Sequence, residues 1–226
     1  MVRILSVDLA YKRHADIGIA LLEASGKHIT ARIIDAELTD PPQPHTFADW
    51  LHALATQHDV AGIAIDGPLG WTAPGTEAEH CRMSEKAVRA PGKTGLPPDG
   101  VKPRNYLAFT EFSIALFERL TAHYGYVLPG SDGLGPFVTE TFPTAAWRSL
   151  SLAAVPGKGR TTPAELEAAI ARLTARVSLD IDRSLTHDQL QAVVGGLAPL
   201  AWALEQHARV SLAGLPPHRL DGSWRE

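Results

Sequence analysis

The sequence predicts an α/β fold built on a mixed sheet, an antiparallel meander joined to parallel strands, with helices on its faces. Three observations predict it. Short apolar runs lie close together in the first forty residues. A later run, Val60-Ala61-Gly62-Ile63-Ala64-Ile65, is apolar at every position, as a strand covered on both sides is. Amphipathic helical stretches separate and follow these runs.

Ile4-Leu5-Ser6-Val7 is a strand halted by Asp8. Ile17-Gly18-Ile19-Ala20-Leu21-Leu22 follows a charged bend, and the Ser25-Gly26 turn leads into Ile29-Thr30-Ala31-Arg32-Ile33-Ile34. Such spacing implies antiparallel neighbours. Asp40-Pro41-Pro42 breaks the pattern, after which Phe47, Trp50, Leu51 and Leu54 recur at helical spacing to about Gln57. Val60–Ile65 then ends at Asp66-Gly67-Pro68 and is expected to run parallel to the first strand. Three strands, a helix and a buried strand are the opening order of the ribonuclease H-like fold. The expectation is therefore a five-stranded mixed sheet of that type.

From Gly67 to Pro103 the chain is rich in Gly and Pro, with a short helical passage around Glu77 to Val88. A loop of that length inside a domain is functional or disordered. Asn105 to Tyr124 reads as a helix with Leu107, Phe112, Leu116, Phe117 and Leu120 on its apolar face. Phe137-Val138-Thr139-Glu140-Thr141-Phe142 alternates as a last strand, and Pro143 starts a short helix carrying Trp147. Thr162-Pro163-Ala164-Glu165 opens one late helix and Thr186-His187-Asp188-Gln189 another, kinked at Pro199. No repeat or linker divides the chain. One domain over residues 1–226 is expected, with an insertion at about 67–104 and a loose tail at about 211–226.

Composition sets limits on function. The net charge is −4, which argues against avid, non-specific binding to a nucleic-acid backbone. The charge is uneven, however. Between Arg82 and Arg104 six bases (Arg82, Lys86, Arg89, Lys93, Lys102, Arg104) face two acids, Glu85 and Asp99. One cysteine, Cys81, precludes an internal disulfide and suits a reducing compartment. The first apolar stretch is too short for a signal peptide, and no segment approaches the roughly 20 apolar residues of a membrane helix. A cytoplasmic protein with no membrane partner is expected.

Four acids are candidates for chemistry. Asp8 and Asp66 each close a central strand, where the carboxyl ends of neighbouring parallel strands form the usual ligand crevice. Two carboxylates side by side are unfavourable unless a cation or a proton compensates. Glu140 lies on the last expected strand and Asp188 in the first turn of a late helix. Each also has a plain structural role: strand-end and turn hydrogen bonding for the aspartates, an exposed strand position for Glu140, a dipole-favoured helix start for Asp188. As a cluster of hard oxygen donors they suit Mg²⁺ or Mn²⁺ rather than Zn²⁺, for which no Cys/His spacing exists.

Val7-Asp8-Leu9-Ala10, Ile65-Asp66-Gly67-Pro68-Leu69-Gly70, Arg82-Met83-Ser84-Glu85-Lys86-Ala87-Val88-Arg89, Glu140-Thr141-Phe142-Pro143 and His187-Asp188-Gln189-Leu190-Gln191-Ala192 occur in this order. So arranged they resemble the family named domain of unknown function 429, predicted ribonuclease H-like nucleases. The resemblance spans roughly residues 3 to 205. It implies a metal-dependent phosphodiesterase fold with Asp8, Asp66, Glu140 and Asp188 as catalytic and metal-holding acids. It also implies substrate-binding bases at Arg82, Arg89 and Lys158, the last within Gly157-Lys158-Gly159-Arg160. Two departures stand out. Gln191 replaces an acid usual in the family's helix motif, with His187 as a substitute ligand, and Glu85 stands where the family has Asp.

Gly92-Lys93-Thr94-Gly95 lacks the strand and spacing of a phosphate loop. Ser84 and Ser131 lack the setting of a hydrolase nucleophile. The five tryptophans read as core or surface plugs, with base stacking a second reading for Trp71, near Asp66. The leading expectation is a divalent-metal-dependent nuclease or phosphodiesterase acting on nucleic acid. A catalytically inactive nucleotide- or nucleic-acid-binding protein of the same fold is the alternative. A phosphotransferase of related sheet topology ranks last, because it requires a second, repeated domain.

Overall fold

The computed structural model describes residues 1–36, 38–73, 81–90, 94–95, 104–206, 210 and 212–213, with backbone only at 104–105. The meander forms as the spacing predicts: β1 (Val2–Asp8), β2 (Gly18–Ser25) and β3 (His28–Ile33) pair antiparallel in sequence. After α1 (Pro44–Gln57), β4 (Gly62–Asp66) returns parallel to β1. β5 (Phe137–Glu140) then pairs parallel to β4. The strand order β5-β4-β1-β2-β3 is that of a ribonuclease H-like sheet.

The sheet has six strands rather than five. β6 (Leu179–Ile181) adds parallel to the outer edge of β3. Three residues carry too little alternation to be read from sequence, and only their hydrogen bonding to Ile29–Ala31 makes them a strand. The insertion's helix, α2, is confined to Met83–Ala87. The remainder of the expected passage, residues 77–80, lies outside the described residues, as do Lys93, Asp99 and Lys102 and most of the tail. The long helix is α3 (Arg104–Glu118), continued by one π-helical turn at Arg119–His123. α4 (Pro143–Ser149), α5 (Pro163–Arg176) and α6 (His187–Ala203) complete the chain, with Pro199 inside α6.

Two-residue alternation along the central strands divides the core between the two faces of the sheet. Leu5, Val7, Ile63, Ile65 and Val138 pack with Phe47 and Leu51 of α1 and with Leu116 and Phe117 of α3. Ile4, Ala64 and Phe137 join Trp147 of α4, Leu173 of α5 and Leu190, Val193 and Val194 of α6. Ser6 and Asp8 have the parity of Ile4, and Asp66 has that of Ala64. Both strand-end aspartates therefore belong to the α6 face.

Small residues let α6 lie close to the sheet. A Cβ on Gly18 of β2 would stand 2.1 Å from the Asp188 carbonyl oxygen, and one on Gly196 would stand 2.3 Å from Leu22 Cδ1. Gly18 is the register partner of Asp8, so the same contact that seats the helix start brings Asp188 over the end of β1. Thr186 caps that start by accepting from the Gln189 N–H, while the Gln189 side chain returns to the Thr186 N–H.

Gly18→Ala is expected to destabilise the protein by about 1–3 kcal/mol, as overpacking does. Urea unfolding measures this, and a wild-type midpoint would show that α6 does not rest on β2 at this point.

Candidate active site

Asp8 and Asp66 are register partners at the carboxyl ends of two parallel strands. Each is only partly exposed. Burial, together with the charges of Asp66 and Asp188, holds the Asp8 carboxyl well above its ordinary range. Burial pushes Asp66 up to about 7, opposed by the hydrogen bond from Asp8 and reinforced by the charge of Glu140. The two carboxyls share one proton because two adjacent buried anions repel.

Asp188 is the third acid of this face. It is 7% exposed, at the first turn of α6. Its side chain is held by Lys158 Nζ, which also donates to Asp16 Oδ1 at 2.7 Å. Lys158 sits on a single 3₁₀ turn, Lys158–Arg160, with its side chain half exposed. Burial works against its charge, but the two ion pairs hold its pKa above the usual lysine range. Asp16 in turn is lowered to about 2 by hydrogen bonds from Arg13 and Lys158. His187 places Nδ1 3.2 Å from Asp188 Oδ1 and donates Nε2–H to the Pro156 carbonyl at 3.0 Å. Gln191 faces elsewhere: its Oε1 accepts from Trp147 Nε1 at 3.0 Å, so this side chain serves the core.

Glu140 leaves its strand on the other side from the pair, although its charge still acts on Asp66. It is the register partner of Ile65, one residue short of Asp66, so alternation sends it to the opposite face. There Arg82 grips both of its oxygens, Nη1 donating to Oε2 at 2.6 Å and Nη2 to Oε1. The Leu69 N–H also donates to Oε2 at 3.0 Å. Burial raises the Glu140 carboxyl while Arg82 pulls it back.

Arg82 is 0% exposed, a buried counter-ion rather than a base turned to solvent. Glu85 stands 3.7 Å from the same guanidinium and is itself buried. It accepts from the Arg82 N–H (3.0 Å), Thr94 Oγ1 (2.7 Å) and the Gly95 N–H (2.9 Å). Burial opposes its ionisation, yet Arg82 and these donors hold its pKa below the usual value. Thr94 and Gly95 thus close over an ionic core. A Cβ on Gly95 would meet Arg82 Nε at 1.8 Å, so only glycine fits. Of the basic insertion's described side chains, Lys86 and Arg89 are exposed.

The structure therefore brings Asp8, Asp66 and Asp188 to one face, with Lys158 beside them, and holds Glu140 and Arg82 together across the strand end. Sequence reasoning missed Asp16 and Thr141. Asp16 lay in the charged bend before β2. Thr141 follows Glu140 and donates its N–H to the Ile65 carbonyl at 2.8 Å, extending the register to bring it beside Asp66. Counting in twos from Asp66 across to β5 would have found it.

Among the described residues no group of three or more His, Cys, Asp or Glu is gathered to hold a metal ion. The pair by itself fits an oxygen-seeking cation. Its donors are hard carboxylates, and the proton it shares marks the positive charge the site needs. A second ion would have to displace Lys158 from Asp188 or Arg82 from Glu140.

A mixed sheet in this order, flanked by helices, is a ribonuclease H-like fold. No protein-family model matches the chain, and no curated protein matches it in sequence. Among solved structures it is similar to RuvC of Thermus thermophilus, with a TM-score of 0.43 and 9% identity over 90% of this chain and 97% of that chain. Among the described residues no helix is long and apolar enough to cross a membrane.

Two outcomes follow from these charges. Asp66 carries its proton to about pH 7 when folded but releases it near 3.8 when unfolded. The unfolded chain thus binds fewer protons between those values, so metal-free stability falls as pH rises from about 4 to about 7. Asp66→Asn is expected to flatten that slope in denaturant titrations across pH; an unchanged slope would place the shared proton elsewhere. Glu140→Gln leaves buried Arg82 with only the more distant Glu85 as its anion and is expected to cost about 3 kcal/mol, whereas a loss below about 1 kcal/mol would mean the pair behaves as a surface bridge.

Proposed function

We propose that this protein hydrolyses phosphodiester bonds of nucleic acid, using one divalent cation, Mg²⁺ or Mn²⁺, held by Asp8 and Asp66. The observation carrying this reading is the register pairing of Asp8 with Asp66, two carboxylates too close to ionise together. Held by these two carboxylates, such a cation would supply an activated water and stabilise the leaving oxygen. Asp188 turns toward the same strand end from the α6 start. Lys158, half exposed and already paired with Asp188, lies where it can take a phosphate oxygen, and exposed Arg89 offers a second contact along the backbone. Arg82 and Glu140 keep a supporting role, fixing the insertion against the strand ends. The motif order also supports placing the chain with the domain of unknown function 429 family, and the lone cysteine supports a cytoplasmic location.

A second reading is favoured by a specific observation. Glu140 is committed to Arg82, Asp188 to Lys158 and Gln191 to Trp147, which leaves one uncommitted carboxylate pair. Such a site suits a binding protein that grips a nucleotide or nucleic acid without cutting it.

The two readings separate in one experiment. Purified protein is incubated with single- and double-stranded DNA, RNA and a base-free diester such as bis(4-nitrophenyl) phosphate, with Mg²⁺, Mn²⁺ or EDTA. Cation-dependent cleavage is expected, and Asp8→Asn or Asp66→Asn is expected to lower it by more than the roughly 10–100-fold typical of losing an outer-sphere partner. Binding without cleavage on any substrate would support the second reading instead.

A further inference from the structure

Beside the acid pair lies a cavity of about 340 Å³. Asp66, Gly67, Glu140 and Thr141 are among its lining residues. Its body is apolar, walled by Phe137 and Phe142 from β5 and its exit, Ala145 of α4, and Pro199 and Trp202 of α6. The cavity exists because α4 and α6 face one another through small side chains, among them Ala145, Ala146, Gly195 and Ala198. Ala198 and Ser149 among the lining residues are exposed, which puts solvent at this side of the space, and Val210, Leu212 and Ala213 from the segment after α6 also line it.

Its charge is one-sided. Asp66, Glu85 and Glu140 line it, and no Lys, Arg or His does so among the described residues. Arg82 lies behind Glu140 and is used by it. With no basic side chain among its described lining residues, the space offers nothing to pair with a phosphate or carboxylate. A neutral group with apolar faces and N–H donors at its edge matches both the walls and the acids. The volume is also at the scale of a small-ligand pocket.

We infer that the cavity receives an unstacked nucleobase of the substrate whose phosphodiester lies at Asp8 and Asp66. The choice of occupant rests on the phosphodiester reading of that pair. The base enters between α4 and α6, its faces against Phe142 and Trp202 and its donor edge toward the carboxylates. Enzymes that must expose one nucleotide take its base out of the stack into a pocket of this sort, which pays for the lost stacking. The site thereby favours single-stranded, looped or mismatched nucleic acid over a fully paired duplex.

The test uses the intact protein in EDTA, with the free nucleosides adenosine, guanosine, cytidine and uridine as probes, read by saturation-transfer NMR and calorimetry. At least one nucleoside is expected to bind with Kd of about 1 mM or tighter. Ala198→Phe, at an exposed helical position, fills the mouth and is expected to weaken binding at least about tenfold. Ala145→Phe, from the opposite wall, is the second variant, and melting curves verify that both are folded. No nucleoside binding, binding that neither folded variant weakens, or equal binding of cyclohexanol would overturn the inference. The base-free diester assay is independent: nucleoside binding without any cleavage keeps the pocket and removes the catalytic reading. Cleavage of that diester without nucleoside binding does the reverse.

Discussion

Two aspartates are held opposite each other by the hydrogen-bond register of β1 and β4, and the surrounding structure is arranged around that enforced repulsion. Backbone pairing fixes Asp8 against Asp66, so the strands cannot relieve the strain without losing sheet hydrogen bonds. A shared proton relieves it in the metal-free protein, and a bound cation is the chemical alternative. Neither strand can slip by one residue, because a slip would exchange every buried side chain with its neighbour on the other face.

Around this pair the protein supplies its own cations to the outer acids. Lys158 neutralises Asp188 on the α6 face, and Arg82 neutralises Glu140 on the other. The two arrangements differ in consequence. Lys158 is half exposed on a short turn, so its ion pair exchanges with solvent at modest cost. Arg82 is wholly buried between Glu140 and Glu85, and removing either partner strands a charge in the interior. Lys158 is thus the adjustable element of the site and Arg82 the fixed one.

The family resemblance placed Arg82 among phosphate-binding bases, whereas the six clustered bases by themselves read as a solvated loop. Burial reverses the reading. Whether an arginine meets a phosphate or a glutamate depends on what the fold brings to it. Here the backbone of Thr94 and Gly95 closes over the guanidinium, which no count of charges can reveal. Gln191 gives a parallel case: its contact with Trp147, 44 residues earlier, ties α6 to α4 and explains an amide where an acid was expected.

By itself the sequence determined the meander, the buried fourth strand, the helix starts at Thr162 and Thr186, and the two aspartates at the strand ends. These follow from local rules: alternation, apolar runs, turn residues and capping pairs act over a few neighbours. Tertiary structure alone decided which acids share a face, that Asp188 reaches Asp8 across Gly18, that Glu140 is taken by Arg82, and that Leu179–Ile181 is a strand. Each of those depends on register or on a close approach between segments far apart in the chain. A one-residue difference in pairing separates Glu140 from Thr141, and local pattern leaves that difference undetermined.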